Sequence, residues 1–263
     1  MSNERSLSIV DAHAHLGRWP YPIRQGTAAD LAAEMQALGV AATVVSHSLA
    51  LYYDAVEGNR ALAGEIRDFP QIWGYVSVNL NYPEQAEDEL ERYLGAGSAL
   101  RNKFIGIKVH QSLSRRRFDT PEGMAIAQAA ARYRVPVLVH TFGSALESPW
   151  NVLPAAKANP DVPFILGHMG GDAWWEGARV GREAPNLYLE LCSSWTDPEK
   201  VRAAIDAVGP ERVLFGTDAN LFALAYMAGA LEDAGLSGDE LRLVMGGNAR
   251  RLFPDMACTL GEE

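Results

Sequence analysis

Two histidines stand one residue apart near the N-terminus, in the sequence DAHAH that begins at Asp11. Alternate residues of a β-strand point to the same side, whereas on a helix they diverge by about 200°. In a strand, Asp11, His13 and His15 would therefore project together, with the intervening alanines facing the other way. Neutral imidazoles and carboxylates are ligands that suit zinc and other first-row divalent ions. The stretch predicts two metal ligands or the polar exit of a strand from the core.

All six histidines of the chain stand at the ends of short apolar runs that are rich in β-branched residues. Such runs predict strands. His13 and His15 follow the first run, and the others are His47, His110, His140 and His168; Asp218 ends a further run. A lone His-x-His is a weak signal. Together with His140, His168 and Asp218, it predicts one polar site built from strand ends.

Eight apolar runs alternate with segments of helical pattern along the chain. The runs cover residues 7–13, 41–47, 72–79, 104–110, 135–140, 163–168, 186–192 and 212–218. This alternation is typical of a parallel sheet covered by helices, and eight units favour an α/β fold of the closed (β/α)8 TIM barrel type. An open doubly wound sheet is the alternative, but no G-x-G-x-x-G follows the first run. No linker divides the chain, so the sequence predicts a single domain over residues 1–263. C-terminal helices within residues 237–253 are expected to close it.

Charge and composition exclude several classes of partner. The chain of 263 residues has a net charge of -10, which disfavours binding to nucleic acid or to an anionic membrane surface. No segment has the uninterrupted apolar length of a membrane span or an export signal. Cys192 and Cys258 have neither metal-site nor disulfide-framework spacing. We expect a cytoplasmic protein that acts on a small molecule.

Seven segments together resemble the amidohydrolase superfamily of metal-dependent hydrolases. They are DAHAH, GIKVH, VLVHT, ILGHMGG, NLYLELCSS, RVLFGTDAN and GGNARRLF. Within the superfamily they are similar to the amidohydrolase-2 group, which also contains non-oxidative decarboxylases and lactonases. The resemblance implies a metal-dependent hydrolase of a small-molecule amide, ester or lactone. The alternative it allows is a decarboxylase of a small aromatic or unsaturated carboxylic acid.

The resemblance also implies roles for individual residues. His13, His15 and His140 would bind the ion, with Asp218 at or beside it. Asp218 would also be the catalytic group that takes a proton from the attacking water, and His168 would contact that water or a substrate oxygen. Zn²⁺ is the expected ion, and Mn²⁺ also suits these ligands.

Lys108 is open to three interpretations. In two-ion members of the superfamily a carboxylated lysine after strand 4 bridges the ions, and His140 and His168 would then bind the second one. In a one-ion site, Lys108 and His110 would bind an anionic group of the substrate. The third interpretation is an ion pair in the barrel core. One ion is favoured, because the amidohydrolase-2 relatives mostly resemble that arrangement.

Other residues are open to both functional and structural interpretations. Arg18 and Trp19 lie in the first loop over the expected mouth, where they would bind a carboxylate and a flat ring of the substrate, or simply pack on neighbouring loops. Asp11 is expected to orient the strand or a ligand imidazole rather than bind metal. A barrel that binds a ligand or a metal without turnover would be expected to lack some of the metal ligands. In this sequence the set of three histidines and one aspartate is complete. Relatives often resemble dimers, and the resemblance allows a homodimer, but the sequence leaves the oligomeric state open.

Overall fold

Eight parallel strands form one sheet in the order β1 to β8. The computed structural model describes residues 8–260, apart from the side chain of Thr259. Leu7, the first residue of the first predicted run, lies outside the described residues. The strands are β1 (Ile9–Leu16), β2 (Val40–His47), β3 (Ile72–Val78), β4 (Phe104–His110), β5 (Val137–His140), β6 (Phe164–Gly167), β7 (Leu187–Glu190) and β8 (Val213–Leu214). Each overlaps one predicted run, which confirms the (β/α)8 TIM barrel.

Helices connect the strands and surround the sheet. They are α1 (Ala28–Leu38), α2 (Ser48–Tyr52), α3 (Ala55–Glu65), α4 (Pro83–Leu94), α5 (Gln111–Ser114), α6 (Pro121–Tyr133), α7 (Leu153–Ala158), α8 (Trp174–Gly181), α9 (Pro198–Val208), α10 (Leu224–Glu232), α11 (Gly238–Arg242), α12 (Asn248–Leu252) and α13 (Pro254–Thr259). Among residues 8–260, none of these helices is long and apolar enough to cross a membrane.

The helix boundaries follow from local chemistry. The Thr27 hydroxyl accepts a hydrogen bond from the amide of Asp30 and begins α1, and Gly39 ends it in the left-handed region at φ 69°. Proline is the first residue of α4, α6 and α9, where a missing amide hydrogen costs no helical bond. These signals are local, so the sequence near each helix end determines where the helix begins or ends.

The barrel interior is apolar at the end where the strands begin. Inward-facing side chains such as Val44, Leu138 and Ile165 form one buried cluster with Phe253 from the segment that links α12 and α13. The ring of Phe253 packs edge-on against Tyr75, with 6.1 Å between the ring centres. Because the C-terminal helices cover this end, polar chemistry is confined to the other end, where the strands finish.

A bulge in β1 changes the direction of its side chains. Asp11 pairs with Thr43 of β2, but Ala14 pairs with Val45, so β1 holds one extra residue between these pairs. Before the bulge, Ala12 belongs to the cluster inside the barrel, and after it Ala14 belongs to the outer core beneath the helices. His13 and His15 therefore share the inner face as predicted. The expectation that Asp11 projects with them is wrong.

Asp11 instead joins the two ends of the sheet. Its carboxylate accepts hydrogen bonds from the amide of His13 at 3.0 Å, and from the amide and hydroxyl of Thr217 at 3.1 and 2.6 Å. The main chain adds bonds from Ala12 to Phe215 and from Asp218 to His13. Asp11 thus orients the strand that carries the histidines, because it ties β1 to the segment after β8.

Replacing Thr217 with valine should weaken this closure. Thr217→Val removes the bond to Asp11 and the acceptor for the amide of Ala219, so the free energy of unfolding should fall by about 1–3 kcal/mol. Thr43→Val is the matched control, because within the described residues the equally buried Thr43 hydroxyl has no hydrogen-bond partner. Urea unfolding of both variants measures the difference. Equal losses would contradict the role of Thr217.

Candidate active site

His13, His15 and Asp218 meet where β1 leaves the barrel. One oxygen of Asp218, Oδ1, lies 2.8 Å from Nε2 of His15 and 3.7 Å from Nε2 of His13. All three residues are buried. Asp218 has a left-handed backbone with φ 56°, and its amide donates to the carbonyl of His13 at 2.7 Å. The turn after β8 therefore directs this carboxylate at both imidazoles.

The far nitrogens of the two imidazoles are held by other side chains. Nδ1 of His13 lies 2.8 Å from Oε2 of Glu190, and Nδ1 of His15 lies 2.8 Å from the hydroxyl of Ser46. A carboxylate only accepts, so His13 carries its proton on Nδ1 and keeps a lone pair on Nε2. The Ser46 hydroxyl can donate to Nδ1 of His15, so the neutral ring carries its proton on Nε2, which donates to Asp218. Carboxylate–histidine pairs such as Glu190 and His13 orient metal-binding imidazoles.

The sequence interpretation missed Glu190. The carboxylate of this residue, which ends β7, also accepts from the amides of His168 and Cys192 at 3.1 and 2.6 Å. A side chain on Gly216 would collide with it, so the glycine after β8 leaves room for Glu190. The available signal was an acidic residue within an apolar run. Nothing in the sequence shows that it faces His13.

Lys108 lies at the base of the site. Its Nζ is 2.6 Å from Nε2 of His13, and only 1% of the residue is exposed. Burial lowers the pKa of Lys108 to about 8, while the negative charge of Asp218 acts in the opposite direction. A buried ammonium group thus lies at the histidine lone pair to which a metal ion would bind.

A second group of side chains lies at the ends of β4 to β6. Nε2 of His168 is 3.0 Å from Nδ1 of His140, and Nε2 of His140 is 3.1 Å from Oε1 of Glu147. The ring of His110 stacks on His140 with 3.7 Å between centres. His140 therefore contacts His168, Glu147 and His110. His168 connects it to the first group, because the ring centres of His168 and His13 are 5.0 Å apart. Glu147 was not predicted, because it lies in the loop after β5.

The hydrogen-bond acceptors around this second group show which imidazole nitrogens carry a proton. His168 must donate from Nδ1 to the carbonyl of Cys192 at 2.7 Å, and His140 must donate from Nε2 to Glu147. Burial lowers the pKa of His140, and lowers that of His168 to about 4, so both rings are neutral near pH 7. Two lone pairs then face each other at 3.0 Å. Either a cation or an extra proton on His140 satisfies both.

The protonation states suit a divalent ion. Burial lowers the pKa of His13 and of His15, so both imidazoles are neutral. Burial opposes ionisation of Asp218, but the hydrogen bond from His15 and the nearby histidines hold its pKa well below the usual value. Burial raises the pKa of Cys192 well above normal, so this neighbour is a thiol. Neutral nitrogens around a carboxylate fit Zn²⁺ or Mn²⁺.

Side chains that are able to bind a metal form two groups among the described residues. The first is His13, His168, Cys192 and Asp218, and the second is His110, His140 and Glu147. Within each group the potential ligand atoms lie within 4.8 Å of one another. The end of the barrel therefore contains a candidate metal site.

A cavity of about 580 Å³ opens above these groups. Six of the predicted site residues line it: His15, Trp19, His110, His140, His168 and Asp218. Trp19 packs edge-on against His15 with 5.0 Å between ring centres. The predicted placement of Trp19 over the site is therefore observed.

Arg18 does not line this cavity. It is exposed and faces a separate cleft with His47 and Glu65, on the other side of the first loop. Trp19 is buried and Arg18 is exposed, so these neighbours in sequence have different surroundings. The structure therefore does not place Arg18 in the cavity where we expected it to bind a substrate carboxylate. The imidazole of His47 also has other partners. Its Nε2 lies 3.3 Å from Oε1 of Glu65, and its Nδ1 accepts a hydrogen bond from the amide of Leu49.

In this parallel (β/α)8 barrel, histidines and an aspartate lie at the carboxyl ends of the strands. This arrangement is typical of a barrel enzyme with a metal site. The chain belongs to the Amidohydrolase family (Amidohydro_2), whose profile matches residues 10–254. This result confirms the family resemblance seen in the sequence. No curated protein sequence matches the chain.

Solved structures share the fold along nearly the whole chain. The 5-carboxyvanillate decarboxylase of Sphingomonas paucimobilis is 17% identical, with a TM-score of 0.75 over 95% of this chain and 99% of that chain. A dihydroxybenzoic acid decarboxylase of Polaromonas sp. with bound manganese is 18% identical, with a TM-score of 0.76 over 94% and 97%. A zinc-bound amidohydrolase of Burkholderia multivorans is 20% identical, with a TM-score of 0.70 over 94% and 99%.

Removing the charge of Glu190 should weaken metal binding. Glu190→Gln keeps the size of the side chain but weakens the bond that fixes the His13 tautomer, so affinity for Zn²⁺ should fall about 10- to 100-fold. Glu89→Gln is the matched control, because Glu89 is equally buried and its carboxylate accepts a hydrogen bond from Asn59, away from the site. Competition with a chromophoric chelator measures both affinities. Equal affinities would contradict the role of Glu190.

Proposed function

We propose that the protein is a metal-dependent hydrolase of a small-molecule amide, ester or lactone. The observation that carries the proposal is the contact of one Asp218 oxygen with Nε2 of both His13 and His15 at the floor of an open cavity. Buried groups of this kind are rarely left together without a function, since each costs free energy to remove from water. Membership of the Amidohydrolase family supports the same conclusion.

His13, His15 and Asp218 would hold the ion, and His140 is the fourth proposed ligand. We propose Zn²⁺, with Mn²⁺ as the alternative; named structural relatives contain one or the other. When bound, such an ion lowers the pKa of water and polarises a carbonyl group. To join this set, His140 must release His168 or Glu147, which it contacts at 3.0 and 3.1 Å.

The protein side chains would supply the proton transfers. Asp218 has two carboxylate oxygens, so one can remain with the ligand set while the other accepts a proton from water and returns it to the leaving group. His168 lines the cavity and has its Nδ1 proton committed to the Cys192 carbonyl. Its Nε2 is therefore the atom that would accept a hydrogen bond from the attacking water.

Decarboxylation of a small aromatic acid is the second candidate. Trp19, Tyr52 and Phe142 form aromatic walls around the cavity, which would suit a flat ring. Two of the named structural relatives are decarboxylases of aromatic acids. Ring opening of lactones and release of CO₂ from aryl acids distinguish the two reactions.

The number of ions can be tested through Lys108. We expect one ion per chain, and we expect Lys108→Met to bind it about tenfold more tightly, because the competing ammonium at His13 Nε2 is removed. Lys103→Met, away from the site, is the matched control. Elemental analysis gives the ratio. A ratio near two that falls to one in Lys108→Met would overturn the one-ion arrangement, and would show instead that Lys108 bridges two ions.

The catalytic proposal is tested by metal removal and by one substitution. Chelation should abolish hydrolysis of a lactone and ester panel, and Zn²⁺ or Mn²⁺ should restore it. Asp218→Asn should lower kcat by at least about 10²-fold when metal content is matched to the wild type, because an amide cannot accept the proton. Near-normal turnover in Asp218→Asn would remove Asp218 from proton transfer. Release of CO₂ without hydrolysis would favour decarboxylation.

A further inference from the structure

The cavity above the candidate metal site has aromatic walls on opposite sides. Trp19 follows β1 and Tyr52 follows β2, and both line the cavity. Phe142 lines it from the loop after β5. In a barrel closed in the order β1 to β8, β1 and β5 face each other across the axis. A ligand in the cavity therefore lies between two aromatic surfaces.

These aromatic side chains are held in place. The indole nitrogen of Trp19 donates to Asn220 at 3.1 Å, and Trp19 packs edge-on against Tyr52 with 5.4 Å between ring centres. The hydroxyls of Tyr21 and Tyr52 are hydrogen-bonded at 2.5 Å. On the other side, the ring of Phe142 lies nearly parallel to His140, at 13° and 5.3 Å. Such fixed faces favour a flat, unsaturated ring, because little side-chain freedom is lost when it binds.

The charges around the cavity are acidic or neutral. Within residues 8–260, no arginine or lysine lines the cavity, and its charged side chains apart from histidine are Glu147 and Asp218. Lys108 is 1% exposed and its Nζ is bonded to His13, so it does not face the cavity. The walls contribute serine hydroxyls instead, from Ser112, Ser193 and Ser194. An anionic group placed away from the ion would lose water without gaining a cation.

We propose that the substrate is a flat ring compound that carries no anionic group. A cyclic aryl ester or amide fits this description, and a ring with a carboxylate or phosphate does not. The inference rests on the proposed hydrolytic function, and it specifies the substrate class of the same site. The hydroxyls of the walls would bind neutral polar substituents of the ring.

Binding of an unreactive ligand tests the inference without turnover. The ketone 2-tetralone has the shape of the lactone 3,4-dihydrocoumarin but cannot be hydrolysed. Calorimetric titration of the zinc-loaded protein should show at least about tenfold tighter binding of 2-tetralone than of its derivative with a carboxylate on the aromatic ring. Equal or tighter binding of the carboxylate would overturn the inference.

A charge introduced into the wall provides the matched test. Ser194 is exposed at the rim and lines the cavity. Ser194→Arg should bind the carboxylate derivative about fivefold more tightly than Ser194→Gln does, because only the arginine adds a positive charge. No difference between the two variants would contradict the assignment of this wall as the surface that rejects anions.

The two proposals fail in different ways. If the zinc-loaded protein binds 2-tetralone in preference to its carboxylate but opens no lactone or ester, the hydrolytic function fails and the preference for uncharged rings stands. If it opens carboxylated lactones faster than 3,4-dihydrocoumarin, the hydrolytic function stands and the inference is overturned.

Discussion

The hydrogen bond between Glu190 and Nδ1 of His13 is the contact on which the site depends. It lies in the barrel interior, where the carboxylate accepts two main-chain amides in addition to the imidazole. A carboxylate buried without such donors would be costly. The bond fixes the tautomer of His13, and His13 in turn contacts Lys108 and Asp218 through the opposite nitrogen. One buried contact therefore links the ends of β1, β4, β7 and the turn after β8.

The barrel separates stability from chemistry along its axis. Apolar side chains and the C-terminal helices fill one end, and polar groups occupy the other. The polar end is stable because nearly every donor there meets an acceptor; for example, His168 donates to the carbonyl of Cys192 and His140 donates to Glu147. The facing nitrogens of His140 and His168 are the exception. A proton or a cation between these two nitrogens would satisfy both lone pairs.

Much of the fold followed from the sequence. Apolar runs, helix caps and prolines are local signals, so the eight strands and the main helices were predictable. The positions of the histidines at strand ends followed as well. The bulge in β1 did not, because a side-chain period of two assumes a regular strand. The error for Asp11 has that origin. The direction of Arg18 depends on how its loop packs, which no periodicity describes.

The site divides in the same way. The sequence by itself determined the family, the barrel and the predicted polar residues, because strand ends of a parallel barrel must meet at one mouth. Only the tertiary structure decided which of them touch. It joined His13 and His15 to Asp218, set His140 beside His168, and brought in Glu190 and Glu147. The physical reason is that hydrogen bonds depend on tenths of an ångström between atoms far apart in the chain, whereas residue spacing fixes only the strand end on which each side chain lies.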